Sequence, residues 1–183
     1  MNDTPVTGGM PAPYDSADPL RDVRIVDAPA VPTAVVRQTD FAMHDMPQLM
    51  DGVFSHLVGA LREAGVTPIG PAFSLHHRFP TATADLEVGF PVDRVLDGAL
   101  SLPSGYKVVD SELPAARVAI TSYVGPYGGL AEAWGAFTEQ VGAAGEQMRF
   151  PFWELYVTNP DAGGDAAGIR TDLVTALEVP AER

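Results

Sequence analysis

The sequence predicts an α+β domain assembled from two similar β-α-β-β halves. Two stretches with helical spacing of apolar residues are each stopped by a glycine and followed, six residues later, by a proline that opens a strand. The same stretches coincide when the chain is shifted against itself by 80 positions, which brings Gly65 onto Gly145, Pro71 onto Pro151 and Leu75 onto Leu155. Self-similarity at a fixed offset is a stronger signal than any single propensity. A chain of 183 residues with 46% apolar residues is large enough for one domain with a real core.

Residues 1–20 are rich in Pro, Gly, Asp and Ala without periodicity, and read as a disordered tail too short for a helix-turn-helix domain. A single domain is expected over 21–183, with halves at about 22–92 and 113–180. The stretch 22–37 reads as extended structure punctuated by prolines, with Val35 and Val36 in its strand. Met50, Val53, Phe54, Leu57, Val58 and Leu61 place a helix over 47–64, with Asp45 before Pro47 as its start and Gly65 as its stop. Strands follow at 72–79 and 85–92. Residues 93–112, with Gly98, Pro103 and Gly105, read as an irregular linker.

The pattern then restarts. A strand is expected at 115–123, and Val124-Gly125-Pro126-Tyr127 turns into a helix over 127–144. Its stripe is Leu130, Ala133, Trp134, Phe137 and Val141, and Trp134 is most simply a core residue. Strands at 152–158 and 173–179 flank the glycine-rich loop NPDAGGDAAG. At the offset of 80, Met50 meets Leu130, Phe54 meets Trp134, Leu57 meets Phe137 and Leu61 meets Val141.

Composition narrows the function. The formal net charge is −13, with 11 Lys and Arg and no run of them, which argues against a direct nucleic-acid partner. There are no cysteines, hence no disulfide, zinc–thiolate site or thiol nucleophile. No secretory signal or transmembrane segment is recognisable, so no membrane is expected and a cytoplasmic location follows by default. No phosphate-binding loop with its Lys-Ser/Thr and no GxSxG elbow occurs, and no cofactor is expected. His76 and His77 are adjacent on a strand and face opposite sides, so no metal site is expected there.

The strand 152–158 carries the most informative residue. Side chains alternate across a strand, so Trp153, Leu155 and Val157 share one face, assigned here to the helix-facing core, while Phe152, Glu154 and Tyr156 share the other. On patterning alone, Glu154 reads as a solubilising residue on a wetted face. The repeat changes this, because it pairs Glu154 with Ser74 and Tyr156 with His76. Each half would lay one helix on one face of the sheet, and the opposite faces would meet as a central cleft walled by Phe152, Glu154 and Tyr156 on one side and Ser74 and His76 on the other. Phe41 and Tyr123 fall at corresponding strand ends and are candidates for its rim. Aromatic walls around one carboxylate suit a lipophilic cation, through stacking, cation–π attraction and charge pairing.

The segments SYVGPYGGLAEAW, PFWELYVTNP and DLVTALEVP, in that order, resemble the GyrI-like effector-binding domains, which include gyrase-inhibitor-like proteins and the ligand-binding halves of multidrug-responsive activators. PAVPTAVVR and DLEVGFPV resemble the family's first half, so the resemblance covers about residues 22–180. It implies a duplicated β-α-β-β fold with antiparallel sheets and a central ligand pocket, and it places the glutamate of the Trp-Glu-x-Tyr strand, here Glu154 with Tyr156, in that pocket. The function it implies is capture of lipophilic, aromatic or cationic compounds for sensing or sequestration. The alternatives are hydrolysis of cyclopropane-bearing alkylating natural products, with Glu154 and Tyr156 as catalytic groups, inhibition of gyrase through a protein contact, and, more remotely, haem binding.

Overall fold

The computed structural model describes residues 9–158 and 168–180. Nine strands form one sheet: β1 (Arg24–Ala28), β2 (Val31–Ala42), β3 (Phe73–His76), β4 (Thr83–Pro91), β5 (Leu100–Ser101), β6 (Lys107–Leu113), β7 (Ala116–Val124), β8 (Met148–Tyr156) and β9 (Arg170–Leu177). Their order across the sheet is β1-β7-β9-β8-β3-β4-β2-β6-β5, and every pairing is antiparallel. Among the described residues three α-helices pack on the sheet: α1 (Met46–Phe54), α2 (Leu57–Glu63) and α3 (Leu130–Ala143). The class is α+β, as the sequence predicts.

The strand order shows how the duplication is built. Read outward from the central β8–β3 junction, one side runs β8, β9, β7 and the other β3, β4, β2. The two sides are therefore related by a pseudo-twofold axis. In the β3–β8 register Ser74 lies directly opposite Glu154, and these two residues are also 80 positions apart. The axis passes between them.

The halves also exchange strands, which the sequence reading did not anticipate. β1 leads into β2 yet pairs with β7, Arg24 opposite Ile120. β6 leads into β7 yet pairs with β2, Leu113 opposite Val31. The stretch 93–112, expected to be an irregular linker, thus contains β5 and most of β6. Its alternation Val108, Val109, Asp110, Ser111 is half-buried, the pattern of a strand near a sheet edge.

The expected helix over 47–64 is two helices, broken at Ser55–His56. A single buried row, Leu49, Val53, Leu57 and Leu61, continues through the break at four-residue spacing with none of its members exposed to solvent. Asp45 precedes α1 without a side-chain cap, and Pro47 occupies the first turn, where its missing N–H costs nothing. Tyr123 fixes the corresponding turn before α3. Its hydroxyl donates to the Pro126 carbonyl at 2.9 Å, and a Cβ on Gly129 would stand 2.1 Å from that hydroxyl, so any larger residue there would have to push the Tyr123 ring out of this bond.

Residues directly opposite on antiparallel strands share a face. Ser74 opposes Val88, which packs under α1 and α2, and Ser74 also opposes Glu154. Glu154 therefore lies on the helix-bearing face. The reverse assignment made from the sequence is wrong: Trp153 and Leu155 belong to the far-face core with Phe73, Leu75, Val118, Ile120 and Val174. Both faces of β8 carry apolar residues, so alternation alone gave no sign of which one met the helices.

The far face is covered in part by the segment expected to be a disordered tail. Met10, Tyr14 and Leu20 pack into the far-face core, and Leu20 is buried. Arg170, itself buried and paired with Asp172 at 2.9 Å, donates to the carbonyls of Ser16 and Ala17. The Leu20 amide donates to Ser122 Oγ at 2.8 Å. Burial pushes the Tyr14 hydroxyl pKa up. Residues 1–8 and most of the loop NPDAGGDAAG lie outside the described residues.

Candidate functional site

On the helix-bearing face, β8 presents Phe152, Glu154 and Tyr156 in a row, with Ser74 and His76 beside them on β3. All five line one floor rather than two facing walls. Three residues of α3 form a parallel row above it: Leu130, Trp134 and Thr138, at four-residue spacing. The equivalent row on α1 and α2 is Met50, Phe54 and Val58, which is the outer edge of the apolar stripe whose inner edge enters the core.

Between the two rows lies a cleft of about 950 Å³, at the upper end of what small-molecule sites occupy. Met50, Phe54 and Val58 line one side, Tyr127 and Leu130 the other, and Phe90 and Tyr156 contribute further rings. Asp51, Ser55 and Thr158 add polar atoms to its lining. Phe54 meets Phe90 edge-to-face at 5.5 Å, and Tyr127 meets Tyr156 in the same way at 5.9 Å. A second, smaller cavity of about 220 Å³ sits at the other end of the floor, against Phe79, Met148, Phe152 and Trp134, and is almost wholly apolar.

Glu154 occupies the floor between the two cavities. Its Oε1 accepts from Trp134 Nε1 at 2.7 Å, and its Oε2 accepts from the Tyr156 hydroxyl at 2.8 Å. The Tyr156 hydroxyl also lies 2.8 Å from Ser74 Oγ. Desolvation, reinforced by the adjacent Glu154 charge, raises the Tyr156 pKa well above its ordinary value, so this hydroxyl stays protonated and donates. Among the described residues, no Arg, Lys or His forms a salt bridge with Glu154. The carboxylate is held by two neutral donors within an aromatic surround.

His76 stacks face to face on Phe152, with ring centroids 5.1 Å apart. Burial, with smaller contributions from His77 and Arg78, lowers its pKa to about 4, so it is neutral at pH 7, and its buried Nδ1 has no hydrogen-bond partner among the described residues. His77 points to the opposite face, where its Nε2 meets Glu87 at 2.5 Å. Of the predicted site residues, the structure brings together Glu154, Tyr156, Phe152, His76 and Ser74. Phe41 and Tyr123 are not among them: Phe41 packs against the α1–α2 core and Tyr123 against the α3 core.

Sequence reasoning missed Trp134, which it placed simply in the core. The signal was present, since Trp134 is the repeat equivalent of Phe54, and Met50, Phe54 and Val58 widen the helical stripe beyond the four-residue row that a core needs.

No family model matches the chain, and no curated protein matches it. Solved structures do. The C-terminal domain of EcmrR superposes with a TM-score of 0.66 and 17% identity, over 86% of this chain and 97% of that one. EcmrR in its complex with DNA is matched over 57% of its length. SAV2435 bound to tetraphenylphosphonium superposes with a TM-score of 0.58 at 9% identity, over 86% of this chain and 94% of that one. A hydrolase encoded by lin2189 from Listeria innocua gives a TM-score of 0.55 at 11% identity, over 88% and 94%. At these identities the likeness is one of fold.

Proposed function

We propose that this chain, which has the fold of the GyrI-like effector-binding domains, binds small lipophilic cations in the cleft between α1 and α3. The observation that carries this reading is the Glu154 carboxylate, set among Trp134, Phe152 and Tyr156 and held only by neutral donors. A carboxylate partly buried among aromatic rings, with no cationic partner among the described residues, leaves its charge for a ligand to pair. A ligand cation supplies the missing charge, and the surrounding rings offer it π-faces. The net charge of −13 adds a weak attraction for cations at long range. That SAV2435, of like fold, was solved with a lipophilic cation is consistent with this chemistry.

The test compares tetraphenylphosphonium with the neutral triphenylphosphine oxide by calorimetry. Glu154→Gln keeps the shape of the side chain and removes its charge. It is expected to weaken the cation about tenfold, roughly 1.4 kcal/mol, and the neutral compound far less. Equal losses for both would sink the charge-pairing reading.

A hydrolytic reading rests on the Tyr156–Glu154 hydrogen bond and on the likeness to the Listeria hydrolase. Glu154 would take a proton from water as the oxygen attacks a strained cyclopropane carbon. The broken C–C bond's electron pair would pass into the conjugated acceptor, which would then take up the proton. Mass spectrometry of a cyclopropane-bearing alkylator incubated with substoichiometric protein decides this: a water adduct supports turnover, and intact compound retires it.

A further inference from the structure

Two cavities lie along the same floor, and Trp134 lines the smaller one, one helical turn from the Leu130 that lines the larger. Along β8 the sequence of floor residues is Phe152 at the small cavity, Glu154 between, and Tyr156 at the large cleft. Along α3 the order above them is Thr138 at the small cavity, Trp134, and Leu130 at the large cleft. Trp134 lies across the middle. Its indole N–H is fixed to Glu154 Oε1, and its ring meets Phe152 at 4.9 Å and Phe137 at 5.5 Å.

We infer that Trp134 is a displaceable plug that determines which ligands this cleft accepts. The inference rests on Glu154 being the anionic partner of a bound cation. With the plug in place, the large cleft alone takes compact, near-spherical cations. An elongated planar aromatic cation instead turns the indole aside, places its own N–H or charge on Glu154 Oε1, and runs one ring system into the small cavity against Phe79 and Phe152.

Three features support a side chain that moves rather than a fixed wall. Trp134 is only half-buried, whereas the other tryptophan, Trp153, is fully buried. Its one polar bond is to a group that a ligand would satisfy equally well, so displacement leaves no carboxylate oxygen unpaired. The small cavity beside it is lined almost wholly by apolar groups, among them Phe79, which is 61% exposed.

The protein has two tryptophans, so ¹⁵N-labelled protein gives two indole N–H signals, and Trp134→Phe identifies which belongs to Trp134. Saturation with ethidium is expected to move that signal away from its carboxylate-bonded position, and saturation with tetraphenylphosphonium to leave it near its original shift. Trp134→Ala, which removes the work of displacement, is expected to raise the affinity for ethidium about tenfold relative to tetraphenylphosphonium. If the alanine variant does not fold, Trp134→Phe, which keeps a ring but drops the N–H, serves for the same ratio. Binding of ethidium with an unmoved Trp134 signal and an unchanged affinity ratio overturns the plug and leaves the cation reading standing. Failure of both cations to bind the wild type overturns both.

Discussion

Strands β3 and β8 are equivalent by the repeat and neighbours in the sheet, so they compare two copies of one structural position under nearly identical surroundings. On the far face the copies agree: Phe73 matches Trp153 and Leu75 matches Leu155, all four buried in one core. On the cleft face they differ at every position: Ala72 against Phe152, Ser74 against Glu154, His76 against Tyr156. The alternation of the strand separates the part of the repeat that packing constrains from the part that chemistry uses. The second half supplies the charge, its hydroxyl donor and the indole, while the first half supplies apolar surface from α1 and α2.

The comparison is most easily broken on the core side. Phe73→Ala and Trp153→Ala each remove a large buried ring at equivalent positions, and each is expected to cost about 3–5 kcal/mol. Denaturant melts would check this, and a cheap change at one position with a costly one at the other would show that the two cores are not equivalent. The pair His76 and Tyr156 sharpens the contrast next. The folded pKa of His76 is about 4 against 6.5 when unfolded. The unfolded chain therefore takes up a proton first as pH falls, and His76 contributes stability that is present above pH 6.5 and lost down to pH 4, about 3 kcal/mol in all. His76→Leu should flatten that part of the stability profile relative to wild type, whereas Tyr156→Phe should not. An unchanged difference between pH 6.5 and 4 would mean that His76 is not held neutral by burial.

Smaller effects test the hydroxyls. Ser74→Ala removes the partner of Tyr156 and is expected to cost about 1 kcal/mol of stability, with only a slight loss of cation affinity. A loss as large as that of Glu154→Gln would make Ser74 a direct ligand contact. Tyr123→Phe deletes the bond to the Pro126 carbonyl and should cost about 0.5–1 kcal/mol while leaving ligand affinity unchanged. Weakened binding there would return Tyr123 to the rim that its strand-end position first indicated.

What the sequence made legible follows from what is local. The two helical stripes and their glycine stops are local patterns, and the repeat that joins them is the same local pattern met again 80 positions on, which led to the fold class and to the grouping of Glu154 with Tyr156, Ser74 and His76. The strand exchange was not legible, because no local pattern says that Arg24 pairs with Ile120 rather than with its own half. Residues 10–20 look disordered by composition, yet three well-spaced apolar anchors, Met10, Tyr14 and Leu20, tie them down. The face of β8 was misread because Trp153 and Leu155 make one apolar face while Phe152 and Tyr156 flank Glu154 on the other, and only the register against β3 and β4 shows which of the two meets the helices.

The exchange of β1 and β6 has a consequence for how the chain reaches this structure. During synthesis the first half emerges with β1 waiting for β7 and with β2 lacking β6, so it carries two unfinished sheet edges until β6 (Lys107–Leu113) and β7 (Ala116–Val124) have been made. Neither repeat is a self-sufficient module. Equilibrium unfolding should therefore be all-or-none, and two separately expressed halves should associate with each other more readily than either folds alone.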